Sequence, residues 1–342
     1  MRPGLLAYLL RRLLLTLPVL FGVIVIAFGV TKLVPGDPLA GFLPENPTPE
    51  QYQARAREFG LDRPVYVQLY RYVIRALQGN LGRSLRTGNP VVSDLKPAIA
   101  ATLELTLLAF ALTLVIGVPM GIYVATKQGR PADLALSVIS LGGLAAPIFW
   151  TALMAQVLFF GILKWLPLEG RLDAYLAFAA PVTNYTGLLT LDAALSGSWQ
   201  VFRSAAWHLV LPASVLAYRA SALIVRLTRS AMLEVLSAQY IWTARAIGLP
   251  ERRVVLRWAF RNALLPVLTV LGLTFGQLLQ GSIVIETVCN WPGVGLYTIH
   301  SIERLDHPGV IAASLVISIG FVLANTITDL LYPLVDPRVR LQ

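Results

Sequence analysis

Six long stretches of this 342-residue chain carry at most one Asp, Glu, Lys or Arg each, and that spacing constrains the fold more than any motif does. About 20 apolar residues in a helix cross the hydrocarbon of a bilayer. The stretches are 13–31, 105–126, 134–163, 204–225 with Arg219 inside it, 262–285 and 307–328, and each predicts a helix. Composition agrees: 56% of residues are apolar and 13% charged, where soluble domains carry about 25% charged residues. With a mean hydropathy of +0.68, an ordinary soluble enzyme, a disordered chain and a disulfide scaffold are all excluded. The fold class expected is an all-α membrane protein with six transmembrane helices.

A seventh uncharged run, 174–191, contains Pro181, Thr183, Asn184, Tyr185, Thr186 and Gly187, which lipid would serve poorly, and reads as an external loop. The first stretch follows Arg11 and Arg12 in the manner of a signal peptide. Its 19 uncharged residues exceed a usual signal core and no small-x-small cleavage site follows, so a retained anchor is expected.

Orientation follows from Lys and Arg on short loops. With the N-terminus inside, the inner segments carry Arg2, Arg11, Arg12, Lys127, Arg130, seven Arg between 226 and 261, Arg338 and Arg340, fourteen in all. The shorter outer loops carry only Lys164, Arg171, Arg203 and Arg304. Segment 32–98 holds nine basic residues but is 67 residues long, beyond the reach of the rule. Both termini are expected in the cytoplasm. The net charge of +10 then reflects cytoplasmic loops meeting anionic lipid, with no nucleic acid required.

Four regions are expected: 1–31 with the first helix, an extracytoplasmic cap over 32–98, a core of five helices over 99–331, and a cytoplasmic tail, 332–342. The cap combines turn-like Pro35-Gly36-Asp37-Pro38, a Pro-rich stretch through Pro49 and an amphipathic stretch from about Glu50 to Leu77. Gly117-Val-Pro-Met-Gly121 and Gly272-Leu-Thr-Phe-Gly276 have the small-xxx-small spacing that lets helices approach closely.

Chemistry on a substrate finds little support. No GxxxxGK[ST] loop occurs, and no GxGxxG follows a predicted strand. The lone Cys289 and the histidines His208, His300 and His307 lack metal-ligand spacing. Ser196-Gly197-Ser198 with His208 invites an intramembrane serine protease reading, but a polar turn explains the serines and nothing supplies an oxyanion hole. Arg219, seven residues before Arg226, either faces a translocation path or snorkels to the interface. Glu104 and Glu286 flank helices at the outer side, either drawing a cationic group of a solute or standing as solvated helix-end residues. The spans hold no central Asp or Glu, which disfavours an ion-coupled secondary transporter.

The inner segment 226–261 is too long for a simple connection. Ser237 to Ile247 suits a helix, Gly248 its end, and Pro250-Glu251 the first turn of the next. This makes a knob showing Tyr240, Thr243, Arg245 and Arg252 to a partner, or else an amphipathic helix on anionic lipid.

Here the sequence resembles a known family. Tyr240-Ile-Trp-Thr-Ala-Arg-Ala-Ile-Gly248-Leu-Pro, followed by Arg261-Asn262-Ala263-Leu264-Leu265-Pro266, is similar to the coupling segment of permease subunits in bacterial ABC importers, closest to the dipeptide, oligopeptide, nickel and glutathione branch. Tyr8-Leu-Leu-Arg-Arg12, Pro35-Gly36-Asp37-Pro38, Gly60-Leu61-Asp62-Arg63-Pro64, Gly79-Asn80-Leu81-Gly82-Arg83-Ser84, Glu286-Thr287 and Trp291-Pro292-Gly293-Val294-Gly295 resemble that branch in order and position. The chain departs from the generic motif, with Trp242, Thr243 and Ala244 in place of Glu-Ala-Ala and a longer gap from Gly248 to Pro266.

The resemblance implies a type I importer permease fold in the bacterial inner membrane, forming half of a path for peptides, with glutathione or nickel complexes as the alternative cargo. It implies a second homologous permease, two ATPase subunits that hold the ATP and Mg, and an extracytoplasmic solute-binding protein. No cofactor and no enzymatic activity are expected in this chain. Tyr240, Thr243, Ala244, Arg245, Ala246 and Gly248, with Arg252 and Arg253, are the implied ATPase-coupling residues.

Overall fold

The computed structural model describes residues 3–37, 39, 43, 47–180 and 182–335; Arg2, Pro38, Pro181, Arg338, Arg340 and most of the tail 332–342 lie outside the described residues. The described residues are helical with short connections. In chain order the helices are α1 Pro3–Leu33, α2 Pro49–Phe59, α3 Val65–Leu77, α4 Val91–Thr126, α5 Pro131–Ala145, α6 Ile148–Gln156, α7 Ala174–Ala179, α8 Leu189–Leu195, α9 Trp199–Leu236, α10 Gln239–Ala246, α11 Glu251–Arg253, α12 Phe260–Val288, α13 Val294–Glu303 and α14 His307–Val335. Two π-helical segments, Val157–Ile162 and Val254–Ala259, continue α6 and join α11 to α12.

Among the described residues five helices are long and apolar enough to cross a membrane: Leu14–Leu33, Val91–Thr126, Trp199–Leu236, Glu251–Val288 and His307–Leu330. The expectation of one helix over 134–163 is corrected. That stretch is a bent pair, Asp133–Ala145 and Ile148–Ile162, meeting at 108°. The cause is Pro147, which lacks an amide hydrogen and bars its predecessor from helical geometry; Ala146 is accordingly extended, with ψ 134°. The pair is one broken span or a re-entrant loop. Run 174–191 holds only α7, a connection and the start of α8.

The chain divides into two compact units. One comprises Met1–Thr102 and Pro292–Gly320. Within it Val91, Leu95 and Ala98 of α4 pack on Val294, Tyr297, Ala312 and Ala313, and Ile24 and Phe28 of α1 pack on Ile311. Its α2 starts at a capping box, in which Thr48 and Gln51 exchange side-chain to backbone hydrogen bonds, and ends at Gly60 with φ 70°. Asp306 fastens the unit's connections: it accepts from the Ser84 hydroxyl, from the Leu85 amide at 2.9 Å and from the Gly309 amide at 3.2 Å.

The other unit comprises Leu103–Trp291 and Phe321–Gln342, built around the 38-residue α9. The two small-xxx-small pairs sit at its helix crossings. A Cβ added at Gly121 would stand 2.5 Å from Thr228, and one at Gly117 would stand 3.0 Å from Ile224, so α4 meets α9 there. A Cβ added at Gly272 or Gly276 would stand 2.2 Å from Thr328 or 2.5 Å from Phe321, where α12 meets α14. Four-residue spacing puts both glycines of a pair on one helix face, and each lacks the side chain that would hold the neighbour away.

Candidate functional site

The segment expected to be a loop from Arg226 begins as helix. α9 continues to Leu236, so only Ser237 and Ala238 connect it to α10. α10 is held by one face. Ile241 and Ala244, three residues apart, are buried with Met232, Val254, Val255, Ala259 and Ala263. Ala244, expected among the coupling residues, is packed inward and 2% exposed, where it seats α10 on the unit. Tyr240, Trp242, Thr243, Ala246, Ile247 and Gly248 are exposed. Trp242 and Ile247 form an apolar surface at the helix end that motif reading did not single out, although large apolar residues beside Arg245 and Gly248 were the available signal.

Gly248 ends α10 in left-handed geometry, with φ 83°. Its amide donates to the Arg245 carbonyl at 3.0 Å and the Leu249 amide to the Ala244 carbonyl at 3.3 Å, the paired bonds of a Schellman motif. Beyond its two chain neighbours no atom lies within 4 Å of where a Cβ would stand, so glycine is required there by backbone conformation and not by crowding. Pro250 then takes extended geometry and Glu251 opens α11.

Arg245 bridges the break. Its Nε and Nη2 donate to Glu251 at 3.1 and 2.8 Å, and its guanidinium lies 5.9 Å over the Trp242 ring. Glu251 raises the Arg245 pKa above its ordinary value. The Asn262 amide donates to Tyr240 Oη at 3.1 Å, tying α10 to α12 as well. Arg252 and Arg253 are exposed. A groove of about 520 Å³ lined by Tyr123, Lys127, Arg252 and Leu256 borders the same end of the unit.

The three residues considered for a path part company. Arg219 is exposed on α9, between half-buried Tyr218 and buried Ala220. Glu104 is 5% exposed with both oxygens engaged, which corrects its expected place as a solvated helix-end residue. Its Oε2 accepts from Arg171 Nε at 2.9 Å and Nη2 at 2.5 Å, and its Oε1 accepts from the Thr190 amide and hydroxyl, both at 2.6 Å. Arg171 also donates to the Gly187 carbonyl at 3.2 Å and lies 5.8 Å over the Trp291 ring. Glu286 is wholly buried, which corrects its expected place at a wet helix end.

Next to Glu104 the carboxylate of Asp192 accepts from the Thr186 amide and hydroxyl at 2.8 and 2.7 Å and from the Gly187 amide at 2.9 Å. Burial opposes its charge, but these bonds outweigh burial and hold its pKa below the usual carboxylate value. His208 makes no nucleophile pair with Ser198, which precedes it by ten residues, about 15 Å along α9. Its Nδ1 lies 2.8 Å from the Ser204 carbonyl, and its Nε2 lies 3.8 Å from Asp173. Among the described residues no group of three His, Cys, Asp or Glu could hold a metal ion.

With this geometry in view, residues 117–341 match the family model described as binding-protein-dependent transport system inner membrane component, and residues 5–106 match its N-terminal companion. The chain is 44% identical to "Probable D,D-dipeptide transport system permease protein DdpB" of Escherichia coli (strain K12), over 94% of each chain. It is 42% identical to the di/tripeptide transport system permease protein of Pseudomonas aeruginosa, and 41% identical to the dipeptide transport system permease protein of Alkalihalophilus pseudofirmus. Each of those two matches covers 98% of this chain and 99% of the relative.

Proposed function

As the chain belongs to the family of binding-protein-dependent transport system inner membrane components, an ABC importer permease subunit of the inner membrane, we propose that it forms half of a path for di- and tripeptides and couples that path to cytoplasmic ATPases through α10 and Gly248. The observation that carries the coupling reading is the build of residues 239–253. A short helix, packed by Ile241 and Ala244 and capped by left-handed Gly248, presents Tyr240, Trp242, Thr243 and Ile247 outward and is tied through Arg245 to Glu251. From Glu251 the chain is helical to Val288, so a push on the exposed helix travels along a whole span.

In this reading two ATPases close on ATP, α10 follows them, and the helices that flank it rock to switch access. The partners are a second homologous permease, the two ATPases and a solute-binding protein, with both termini of this chain in the cytoplasm. Arg219 lines the path, because an exposed guanidinium on a membrane-crossing helix is costly against lipid and cheap against water.

The test is gentle extraction of the tagged chain from its native membrane, followed by mass spectrometry of what co-purifies. A second permease with two ATPases is the expected result. Reproducible recovery of the chain alone, in every detergent, would overturn the coupling role of α10.

A further inference from the structure

A cavity of about 660 Å³ lies among α1, α2, α3 and the start of α14, within the unit of residues 1–102 and 292–320. Lys32, Arg57, Arg71, Arg75 and Arg83 line it, with Glu58 the one carboxylate in the lining among the described residues. Glu58 is engaged with Arg55 at 2.6 Å, so it does not offset the five cations. Like charges gathered around a concave wall repel one another and raise the local concentration of anions.

The floor is of another kind. Phe28 and Ile311 line it, and both belong to helices long and apolar enough to cross the membrane, four residues inward from Lys32 and His307 respectively. Phe28 and Ile311 thus stand one helical turn inside their spans, while Lys32 and His307 stand at the spans' ends. Two lining residues, Tyr72 and His307, carry a buried polar atom, Oη and Nδ1, without a hydrogen-bond partner among the described residues. Burial, with Tyr297 nearby, raises the Tyr72 pKa, which keeps the phenol protonated and a donor. An acceptor entering the cavity relieves that cost.

We propose that this cavity binds the phosphate diester of an anionic phospholipid, its headgroup among Lys32, Arg71, Arg75 and Arg83 and its upper acyl chain against Phe28 and Ile311. An apolar floor beneath a cationic rim selects an amphiphile over a free anion, and a negative headgroup over a zwitterionic one. The site does not depend on which solute is carried.

The test uses the full chain, purified in detergent and titrated with phosphatidylglycerol, phosphatidylcholine or inorganic phosphate, with lipid retention read by native mass spectrometry and thermal melting in parallel. Phosphatidylglycerol is retained and raises the melting temperature; phosphatidylcholine and phosphate do neither. The double variant Arg71→Gln/Arg75→Gln binds phosphatidylglycerol about thirtyfold more weakly, at about one decade and a half for two surface cations. Arg63→Gln/Lys96→Gln, which removes two exposed cations that do not line the cavity and leaves the Arg55–Glu58 pair intact, leaves binding unchanged. Equal retention of both lipids, an equal response to inorganic phosphate, or equal weakening by the two double variants would each overturn the proposal. Should Arg71→Gln/Arg75→Gln fold poorly, Arg83→Gln alone is expected to weaken binding about fivefold, and unchanged binding would count against the site.

Discussion

The two ends of α9 use polar residues in opposite ways. Where α8 meets α9, carboxylates are withdrawn from water: Glu104 gives both oxygens to Arg171 and Thr190, and Asp192 gives both to Thr186 and Gly187. These bonds hold a connecting segment of irregular backbone in place. Beyond Leu236 the arrangement is reversed. The buried layer under α10 is apolar, and the ion pair Arg245–Glu251 stands outside it, its side chains 34% and 61% exposed. A buried pair is costly to break because it leaves a desolvated charge, whereas an exposed pair contributes little to stability. One end is locked, and the other is a firmly seated helix whose outer face stays free for contact.

The largest test of that contrast is Glu104→Ala, which strands the Arg171 guanidinium. A loss of about 3 kcal/mol or more is expected, seen as a sharp fall in melting temperature and yield in detergent. A variant that melts like the parent would show this end to be no lock at all.

Asp192→Ala should cost about 1.5–3 kcal/mol, because three bonds to a charged acceptor go with it. Its depressed pKa fixes the sign with pH. The contribution is complete above the unfolded value, near 3.8, and is lost as pH falls through the lower folded value. Pepsin cleavage within 182–188 should therefore rise as pH drops below that range in the parent chain. In the variant it should be fast throughout; parallel profiles would remove Asp192 from the lock.

At the other end Gly248→Val should cost only about 1–2 kcal/mol, the strain of a β-branched residue at φ 83°, yet abolish transport while the protein stays in the membrane. Normal peptide uptake with normal ATPase stimulation would sink the coupling role. The smallest stability effect is Arg245→Ala or Glu251→Ala, each below about 1 kcal/mol, with a double-mutant coupling that fades in high salt. Arg245→Glu should nonetheless weaken co-purification of the ATPase, since it drives α10 away from Glu251. If the coupling energy matched that of Glu104 with Arg171, the contrast between the two ends would collapse.

How far the sequence disclosed all this depends on how far apart the interacting residues lie. The uncharged runs marked the long helices because a span needs only its own composition. The same count passed over the bend at Pro147, since proline is uncharged; its consequence was there to be read in the backbone rule for the preceding Ala146. Gly248 was legible because a helix pattern followed by Gly-Leu-Pro is local. Ala244 entered with the implied coupling residues, although its spacing from Ile241 put both on one buried face. The lock at Glu104 was invisible, as Arg171 and Thr190 lie 67 and 86 positions along the chain, and pairing over such distances leaves no periodic trace. Arg171 read only as one of a few loop cations. The glycine pairs spoke for close approach, but which helices they admitted came from the fold.

The bend at Ala146 and Pro147 has a further consequence in time. The 15-residue α5 rises about 22 Å, short of the roughly 30 Å of hydrocarbon, and the break leaves backbone carbonyls that lipid cannot satisfy. α5 packs on α9, and α6 packs on α9 and α12. All of that cover is made later, so the bend leaves the ribosome some fifty residues before its first sheltering helix begins at Trp199. Synthesis thus holds an interval in which this stretch must wait at the membrane in an arrangement other than its final one.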